Sequence, residues 1–482
     1  MIESQKKKKM IVVNGYIMQK DKNRNDLYYW DCKHRSHTSA GRNSGICCNG
    51  RASTIYIDGV HKLRSSKNHN HAPDTSNQIV IAKVREIKSI ASSNQDQPSR
   101  IIQVATNQMG TVCRSQMPSN TALTKMIKRA QNRNNPREPN TLVELIVPDD
   151  LKFTNNNKLF LLRQSDIGNE KVLLFSTENN LKKLAESNYW IMDGTFKTAP
   201  NMFLQIYSIH APVGGKENSR ILPLVYFVMS RKSEEAYKRA FEDLCDSAAE
   251  YNIKLAPSFI ITDFEKAAIN AALAEFPGAI NKGCFFHLCQ NIWRKIQNSG
   301  LATLYGDDEN FCLLMRHIGA LAFLPSSEII DAFESVKSIL PDNAAEVVSW
   351  FDENYVNGRV RRTYRNGREA RVPPLFPPEM WSVFQNNNIG FPRTQNKVEG
   401  WHRRWQLLVG RNHPGVFHLI KELKKEQEHV EAEMEIILRG EPRPKRKKQY
   451  VDRDERFANI LNDRHNRSVI DFLRGIAHNL NY

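Results

Sequence analysis

No stretch of about 18 consecutive apolar residues occurs in the 482-residue sequence, so no membrane-spanning helix is expected. The apolar piece that follows the charged run at 6–9 ends at Asn14, which is too short for a secretory signal peptide. Without a secretory route, the eight cysteines belong in a reducing compartment, where metal binding is favoured over disulfides. No internal repeat is evident. Acids are short as well: 52 Asp and Glu stand against 69 Lys and Arg, leaving a formal charge of +17. That imbalance implies a polyanionic partner, nucleic acid above all, against the alternative of a basic surface that serves solubility. The length suffices for two or three domains with a sizeable core.

Acids at particular places are what the sequence does have. The stretch YWIMDGTF at 189–196 reads as a buried strand running into Asp193 and turning at Gly194. PSFIITDFE at 257–265 is a second apolar strand that ends in Asp263, and NKVEGWHRRW at 396–405 reads as a helix carrying Glu399. Two strand-end aspartates and a helix-borne glutamate suit a two-metal phosphoryl-transfer site. Carboxylate oxygens are hard ligands of the kind Mg²⁺ or Mn²⁺ prefers. Two such ions roughly 3.5–4 Å apart activate an attacking oxygen and stabilise a leaving one. Glu265 is the main competitor for the third place, ahead of Glu217 and Glu422. Without ions, three clustered carboxylates would repel and raise at least one pKa, and Asp193→Asn would relieve the repulsion.

Residues 10–73 are small, β-rich and punctuated. A hairpin is expected at 10–13 and 16–19 around Asn14-Gly15, with strands at 27–32 and 53–57. Cys32, one of the paired Cys47 and Cys48, His69 and His71 together supply the two thiolates and two imidazoles of a closed zinc site. Gly15-Tyr16, Trp30-x-Cys32, Cys48-x-x-Arg51 and His69-x-His71 resemble the FLYWCH zinc finger in order and spacing. The resemblance implies Cys48 as the second ligand beside Cys32, His69 and His71, with Cys47 spare. It implies a module that binds DNA or protein, and both remain open.

Helices are expected at 79–90, 98–107 and 121–131, the last basic on one side, then a linker at 131–140. Strands at 142–147, 159–163 and 172–176 lead to a meander at 189–193, 203–210 and 222–229, joined through Gly214-Gly215. Ser233 caps a helix to about Asn252, with Ala236, Phe241, Leu244 and Ala248 facing inward. A strand at 258–263, a helix at 266–275, a strand at 279–285 and a helix to 297 complete the series. A meander followed by two αβ units is the order of the ribonuclease H-like fold. In that fold the first and fourth strands are adjacent, which would bring Asp193 and Asp263 together.

Trp190-x-x-Asp-Gly-Thr-Phe196, Ile261-Thr-Asp263, Cys284-Phe-Phe-His287 and Val398-Glu-Gly-Trp-His-Arg-Arg404 resemble the Mutator-like element (MULE) transposases, closely over 189–296 and more loosely to 410. The resemblance implies Asp193 and Asp263 as the first two catalytic acids and Glu399 as the third. It also implies a helical insertion before the Glu399 helix, with pieces at 309–324, 327–340 and 344–355. Within it, Arg359, Arg361, Arg362, Arg365, Arg368 and Arg371 are candidate phosphate contacts. In the Glu399 helix, Val398, Trp401, Trp405 and Leu408 form the apolar stripe, with Glu399, His402, Arg403 and Gln406 beside it. Cys284 and His287 supply only two ligands unless Cys289, His402 or His413 joins them; the alternative is a packed Cys and a hydrogen-bonded His. A long helix at 416–439 packs on the core or mediates self-association. The cluster Lys445-Arg-Lys-Lys448 reads as a nuclear localisation signal or a phosphate contact, or as a solvated tail, and a short helix at 469–477 closes the sequence.

The expected architecture is therefore α+β: a ribonuclease H-like catalytic domain with a helical insertion, preceded by a small β-rich zinc finger. Its parts are a finger at 1–75, a helical connector at 76–140, the core at 141–306, the insertion at 307–390, the third-acid segment at 391–440 and a basic tail at 441–482. The expected function is a nuclear, homo-oligomeric DNA transposase that binds transposon ends and target, with structural Zn²⁺ in the finger and catalytic Mg²⁺ or Mn²⁺. The alternatives are a domesticated DNA-binding regulator without catalysis, and a scaffold whose finger binds protein.

Overall fold

The computed structural model describes residues 2–3, 9–35, 47–58, 60–94, 96–131, 136–215, 217–384, 396–443, 445 and 447–480. The expected charged run at 6–9, the linker at 131–140, the basic cluster at 445–448 and the boundary near 390 fall partly or wholly outside them. The chain divides into two compact units, Met1–Pro136 and Arg137–Tyr482.

The first unit begins with an antiparallel sheet whose strands lie in chain order: β1 (Ile2–Glu3), β2 (Lys9–Val13), β3 (Tyr16–Arg24), β4 (Leu27–Cys32), β5 (Arg51–Ile57) and β6 (Val60–Ser66). Asn14 and Gly15 both take positive φ, 52° and 81°, the backbone of a two-residue hairpin turn that favours Asn-Gly. Ile11, Val13, Met18, Trp30 and Ala52 build a small core with Cys32 and Cys48. Trp30 is fully buried and donates to Thr54 Oγ1 at 2.8 Å. Strand β6 escapes the sequence reading because its outward side chains are almost all polar or exposed. Helices α1 (Thr75–Ser93), α2 (Pro98–Thr106) and α4 (Asn120–Gln131) form a separate cluster around Val84, Ile87, Ile101, Leu123 and Ile127, and the short α3 (Thr111–Ser115) buries none of its side chains. Asp74 caps α1 by accepting from Asn77 N.

In the second unit, α5 (Asp149–Lys152), β7 (Leu161–Ile167), β8 (Glu170–Phe175) and α6 (Glu178–Ala185) precede the meander β9 (Tyr189–Thr195), β10 (Gln205–Val213) and β11 (Arg220–Met229). Then follow α7 (Glu234–Glu250), β12 (Phe259–Thr262), α8 (Lys266–Glu275), β13 (Ile280–Gly283) and α9 (Phe285–Asn298). The sheet order is β13-β12-β9-β10-β11-β8-β7, with β12 parallel to β9 and to β13 and the other pairs antiparallel. The first meander strand thus borders the strand that precedes Asp263. Ser233 caps α7 as expected, accepting from Ala236 N. Residues 142–147 are not a strand: Leu145 and Val147 are buried one by one, Val143 and Ile146 are exposed, and no strand pairs with them.

Side chains alternate across the sheet. Trp190, Met192 and Phe227 pack toward α7 and α8, while Tyr226 and Val228 pack on the other face. That other face is covered by α15 (Asn396–Val409), through Trp401, Trp405 and Val409, and by α16 (Val416–Leu438), through Phe417, Leu419, Ile420 and Leu423. Leu408, expected on the inner stripe, is 45% exposed, and Val409 fills the inward position instead. Before α15, α10 (Ala302–Asp307), α11 (Glu309–Ala320), α12 (Ile329–Ile339), α13 (Ala345–Phe351), the hairpin β14 (Val360–Thr363) and β15 (Glu369–Arg371), and α14 (Pro378–Trp381) form the helical part. The segment expected as a basic tail carries α17 (Lys448–Asn462) and α18 (Val469–His478), whose Phe457, Phe472, Leu473 and Ile476 enter the same core as Phe311, Met315, Phe333 and Phe351. Its apolar residues therefore bind it to the helical part, while its basic residues account for its charge. Among the described residues no helix is long and apolar enough to cross a membrane.

Candidate metal centres

The first centre lies where β4 ends and β5 begins. Cys32 closes β4, Cys48 precedes β5, and His69 and His71 follow β6; one ligand atom from each lies within 4.8 Å of all the others. Cys32 Sγ is 3.2 Å from His71 Nε2, and Cys48 Sγ is 3.4 Å from His69 Nδ1. The Gly50 N–H donates to Cys48 Sγ at 3.3 Å. Tyr16 stacks on the His69 ring at 3.7 Å, and a Cβ at Gly50 would come within 2.5 Å of that ring, so the imidazole is held on both sides. Burial, aided by the neighbouring Cys48, pushes the Cys32 thiol up to about 11. Two buried thiols and two imidazoles converging in this way fit Zn²⁺, which would remove the cost of keeping them side by side. Cys47 is exposed and stands outside the group.

The second centre forms at the ends of β9 and β12. Asp193 shares the face of Ile191, whose contacts are Ile261, Cys284 and Val398, so it points to the side on which α15 begins. Asp193, Glu399 in the first turn of α15 and His287 in the first turn of α9 each offer a ligand atom within 4.8 Å of the other two. Asp263, just beyond β12, is not in that trio, but it is close enough that its charge and that of Asp193 act on each other.

Asp193 is almost wholly buried and ordered through both oxygens: Gly194 N donates to Oδ1 at 2.8 Å and His402 Nε2 donates to Oδ2 at 3.0 Å. Burial alone would raise its pKa, yet His402, His287 and the Gly194 amide together hold it below the usual carboxylate range. Asp263 takes the opposite course: burial first, then Asp193, push its carboxyl up to about 6, and its Oδ1 has no hydrogen-bond partner among the described residues. Burial and Asp193 also raise Glu399. Burial would lower His287, yet Cys284, Asp193 and Asp263 together push it up to about 9. Behind the centre, His210 Nε2 is 2.9 Å from Ser208 Oγ, which donates to the Asp193 carbonyl at 3.3 Å.

Helix α15 is anchored at several points. Trp401 Nε1 and Arg404 both donate to the buried Glu426 of α16, and Trp405 Nε1 donates to Thr198 Oγ1. The competitors for the third acid are engaged elsewhere: Glu265 pairs with Lys232 at 2.6 Å, and Glu422 pairs with Lys425 at 2.8 Å. In the sequence, His402 falls only near the acids and the role of His287 stays open. The signals were the Cys-x-x-His spacing at a strand-to-helix junction and the three-residue step from Glu399 to His402.

The candidate phosphate contacts sit on the β14–β15 hairpin. Arg359, Arg361, Arg362, Arg365 and Arg368 are exposed, with Arg362 over the Tyr364 ring. Arg371 differs: it donates to Glu369, Asp352 and the Gly358 carbonyl, which commits it to holding the hairpin closed. Gly358 permits that closure, because at φ 81° a Cβ would meet the Val372 carbonyl at 1.8 Å.

Residues 189–291 match the MULE transposase domain, and residues 1–71 match the FLYWCH zinc finger domain. The chain carries both. The first match spans β9 to the middle of α9, including Asp193, Asp263 and His287; the second spans all four Cys and His residues of the first centre. No curated protein matches the chain. The MULE domain relates the chain to transposases and implies DNA binding; the FLYWCH domain accounts for the Cys and His cluster and fits Zn²⁺.

Proposed function

We propose that this is a metal-dependent DNA transposase that cleaves phosphodiesters at transposon ends and joins them to target DNA. The observation that carries the reading is the meeting of Asp193 and Glu399, from distant parts of the chain, at the end of β9 beside β12. The meander followed by two parallel strands, in the order β13-β12-β9-β10-β11, supports a ribonuclease H-like core. Asp193, Glu399 and Asp263 would hold Mg²⁺ or Mn²⁺, and the orphaned Asp263 Oδ1 fits such a group. A bound divalent ion supplies activation of the attacking oxygen and stabilisation of the leaving one.

The chain itself does the rest. His402 and the Gly194 amide orient the Asp193 carboxylate, and the Glu426 anchor keeps α15 and Glu399 against the strand ends. The finger and the exposed hairpin arginines bind the DNA. Assembly as a homo-oligomer would hold two ends together, and the basic cluster around Lys445 and Lys447 would direct the chain to the nucleus.

The test is a Mn²⁺-dependent cleavage assay on a duplex carrying the inverted repeat that flanks the coding sequence. Wild-type protein should cut; Asp193→Asn, Asp263→Asn and Glu399→Gln should bind the duplex but leave it whole; Glu265→Gln should cut. Binding without cutting by the wild type would replace this reading with that of a DNA-binding descendant.

A further inference from the structure

We infer that His287 is a direct nitrogen ligand of the ion held by Asp193 and Glu399, and that this centre therefore prefers Mn²⁺ or another transition ion to Mg²⁺. The inference rests on the reading of the second centre as a divalent-ion site.

Geometry comes first. The His287 ring nitrogen that joins the trio lies within 4.8 Å of a carboxylate oxygen of each acid. Its Nδ1 is shielded from solvent and has no hydrogen-bond partner among the described residues. The Cys284 thiol beside it offers only a weak interaction, and a buried imidazole nitrogen with nothing stronger is costly, so its retention beside two acids calls for a partner. The backbone holds the ring in place. Cys284 N donates to the Thr262 carbonyl at 2.8 Å, tying the start of α9 to the end of β12 immediately before Asp263. Phe285 and Leu288 are buried on either side of the turn, which fixes the direction in which His287 leaves the helix.

Donor chemistry comes second. Mg²⁺ takes oxygen ligands in near-ideal octahedra and dehydrates reluctantly. Imidazole favours later divalent ions, and affinity at a mixed nitrogen and oxygen site rises from Mn²⁺ through Fe²⁺ and Co²⁺. Replacing one oxygen of an all-carboxylate set with His287 therefore penalises Mg²⁺ most. His402 is the other nearby imidazole, and its Nδ1 is likewise buried without a partner among the described residues, but its Nε2 is spent on Asp193 Oδ2 and the ring is not in the trio, which assigns it to orienting the acid.

The test uses full-length protein with zinc already in the finger and one equivalent of Mn²⁺, read by electron spin echo modulation. Wild type and His402→Gln should show imidazole ¹⁴N coupled to Mn²⁺, and His287→Gln should lose it. The ratio of Mn²⁺ to Mg²⁺ affinity should fall at least about tenfold in His287→Asp. Bound Mn²⁺ without nitrogen coupling in the wild type, which requires no variant to fold, would overturn the inference and leave the carboxylate centre standing. So would coupling that survives His287→Gln and vanishes in His402→Gln. Failure of the wild type to bind Mn²⁺ at all would remove both the inference and the centre beneath it.

Discussion

His402 Nε2 lies 3.0 Å from Asp193 Oδ2, so the helix that delivers Glu399 also orients the acid it must meet. One turn of α15 thus does two jobs, and a displacement of the helix would disturb both together. Removing a partner that orients a metal-binding carboxylate typically costs 10–100-fold in metal affinity. His402→Ala should weaken Mn²⁺ binding by about that factor, read by titration calorimetry on zinc-loaded protein. Unchanged affinity would reduce His402 to a packing residue.

In the finger, Cys48 is buried and within reach of His69, whereas Cys47 is exposed. Wild-type protein and Cys47→Ser should each hold one finger zinc by elemental analysis, and Cys48→Ser should not. Chelation should unfold the finger strands while the second unit keeps its melting transition, since a unit this small draws its folding energy from its metal. Equal zinc contents in the two variants would reassign the ligand.

Legibility followed the physics of each segment. The meander strands are continuous apolar runs because the sheet is covered on both faces, and such runs are visible without a partner. The Asn14-Gly15 turn and the Ser233 cap are local, and local chemistry is readable. What depended on distant partners was not. Residues 142–147 have a strand's composition but pair with no strand among the described residues, and Leu408 and Val409 compete for one inward position that only the sheet decides. The Cys-x-x-His spacing and the step from Glu399 to His402 mark the two imidazoles, but their meeting with the acids depends on the β12–α9 junction and on the anchoring of α15, which spacing does not give.

The hairpin arginines separate by their partners. Replacing Arg361, Arg362 and Arg365 by Gln should weaken duplex binding and flatten the log–log salt dependence by roughly 0.9 per lost contact. Arg371→Gln should leave the slope unchanged and loosen the hairpin, because Arg371 is engaged with Asp352 and Glu369. An unchanged slope in the triple variant would take this hairpin out of the DNA interface.

His210 gives a pH signature. Full burial lowers its pKa from 6.5 to about 3, so between those values the unfolded chain binds the proton and the folded one does not. Stability must then fall as the pH is lowered through this window, by up to about 1.4 kcal/mol per pH unit. His210→Gln keeps a polar group near Ser208 and removes the titration. Its urea midpoint should therefore decline less than that of the wild type between pH 6 and pH 4. Parallel declines would show that the imidazole is not kept neutral in the fold.

The last prediction concerns where the carboxylate repulsion falls. The relief expected at Asp193→Asn moves to Asp263: Asp193 is held below the usual range by His402, His287 and Gly194 N, while burial and then the charge of Asp193 raise Asp263 to about 6. For a raised acid, the folded state binds the proton more tightly, so stability is lost as pH climbs from about 4 to about 6. Above that window, Asp263→Asn should stabilise the metal-free protein by up to about 3 kcal/mol, and the gain should vanish near pH 4. Asp193→Asn should instead destabilise it, since His402, His287 and the Gly194 amide lose the negative charge they favour. Saturating Mn²⁺ should erase the advantage of Asp263→Asn by stabilising the wild type through binding. Thermal unfolding of the three proteins at pH 7, with and without Mn²⁺, decides the matter. A metal-free Asp193→Asn that melts above Asp263→Asn would mean that the repulsion is centred on Asp193 after all.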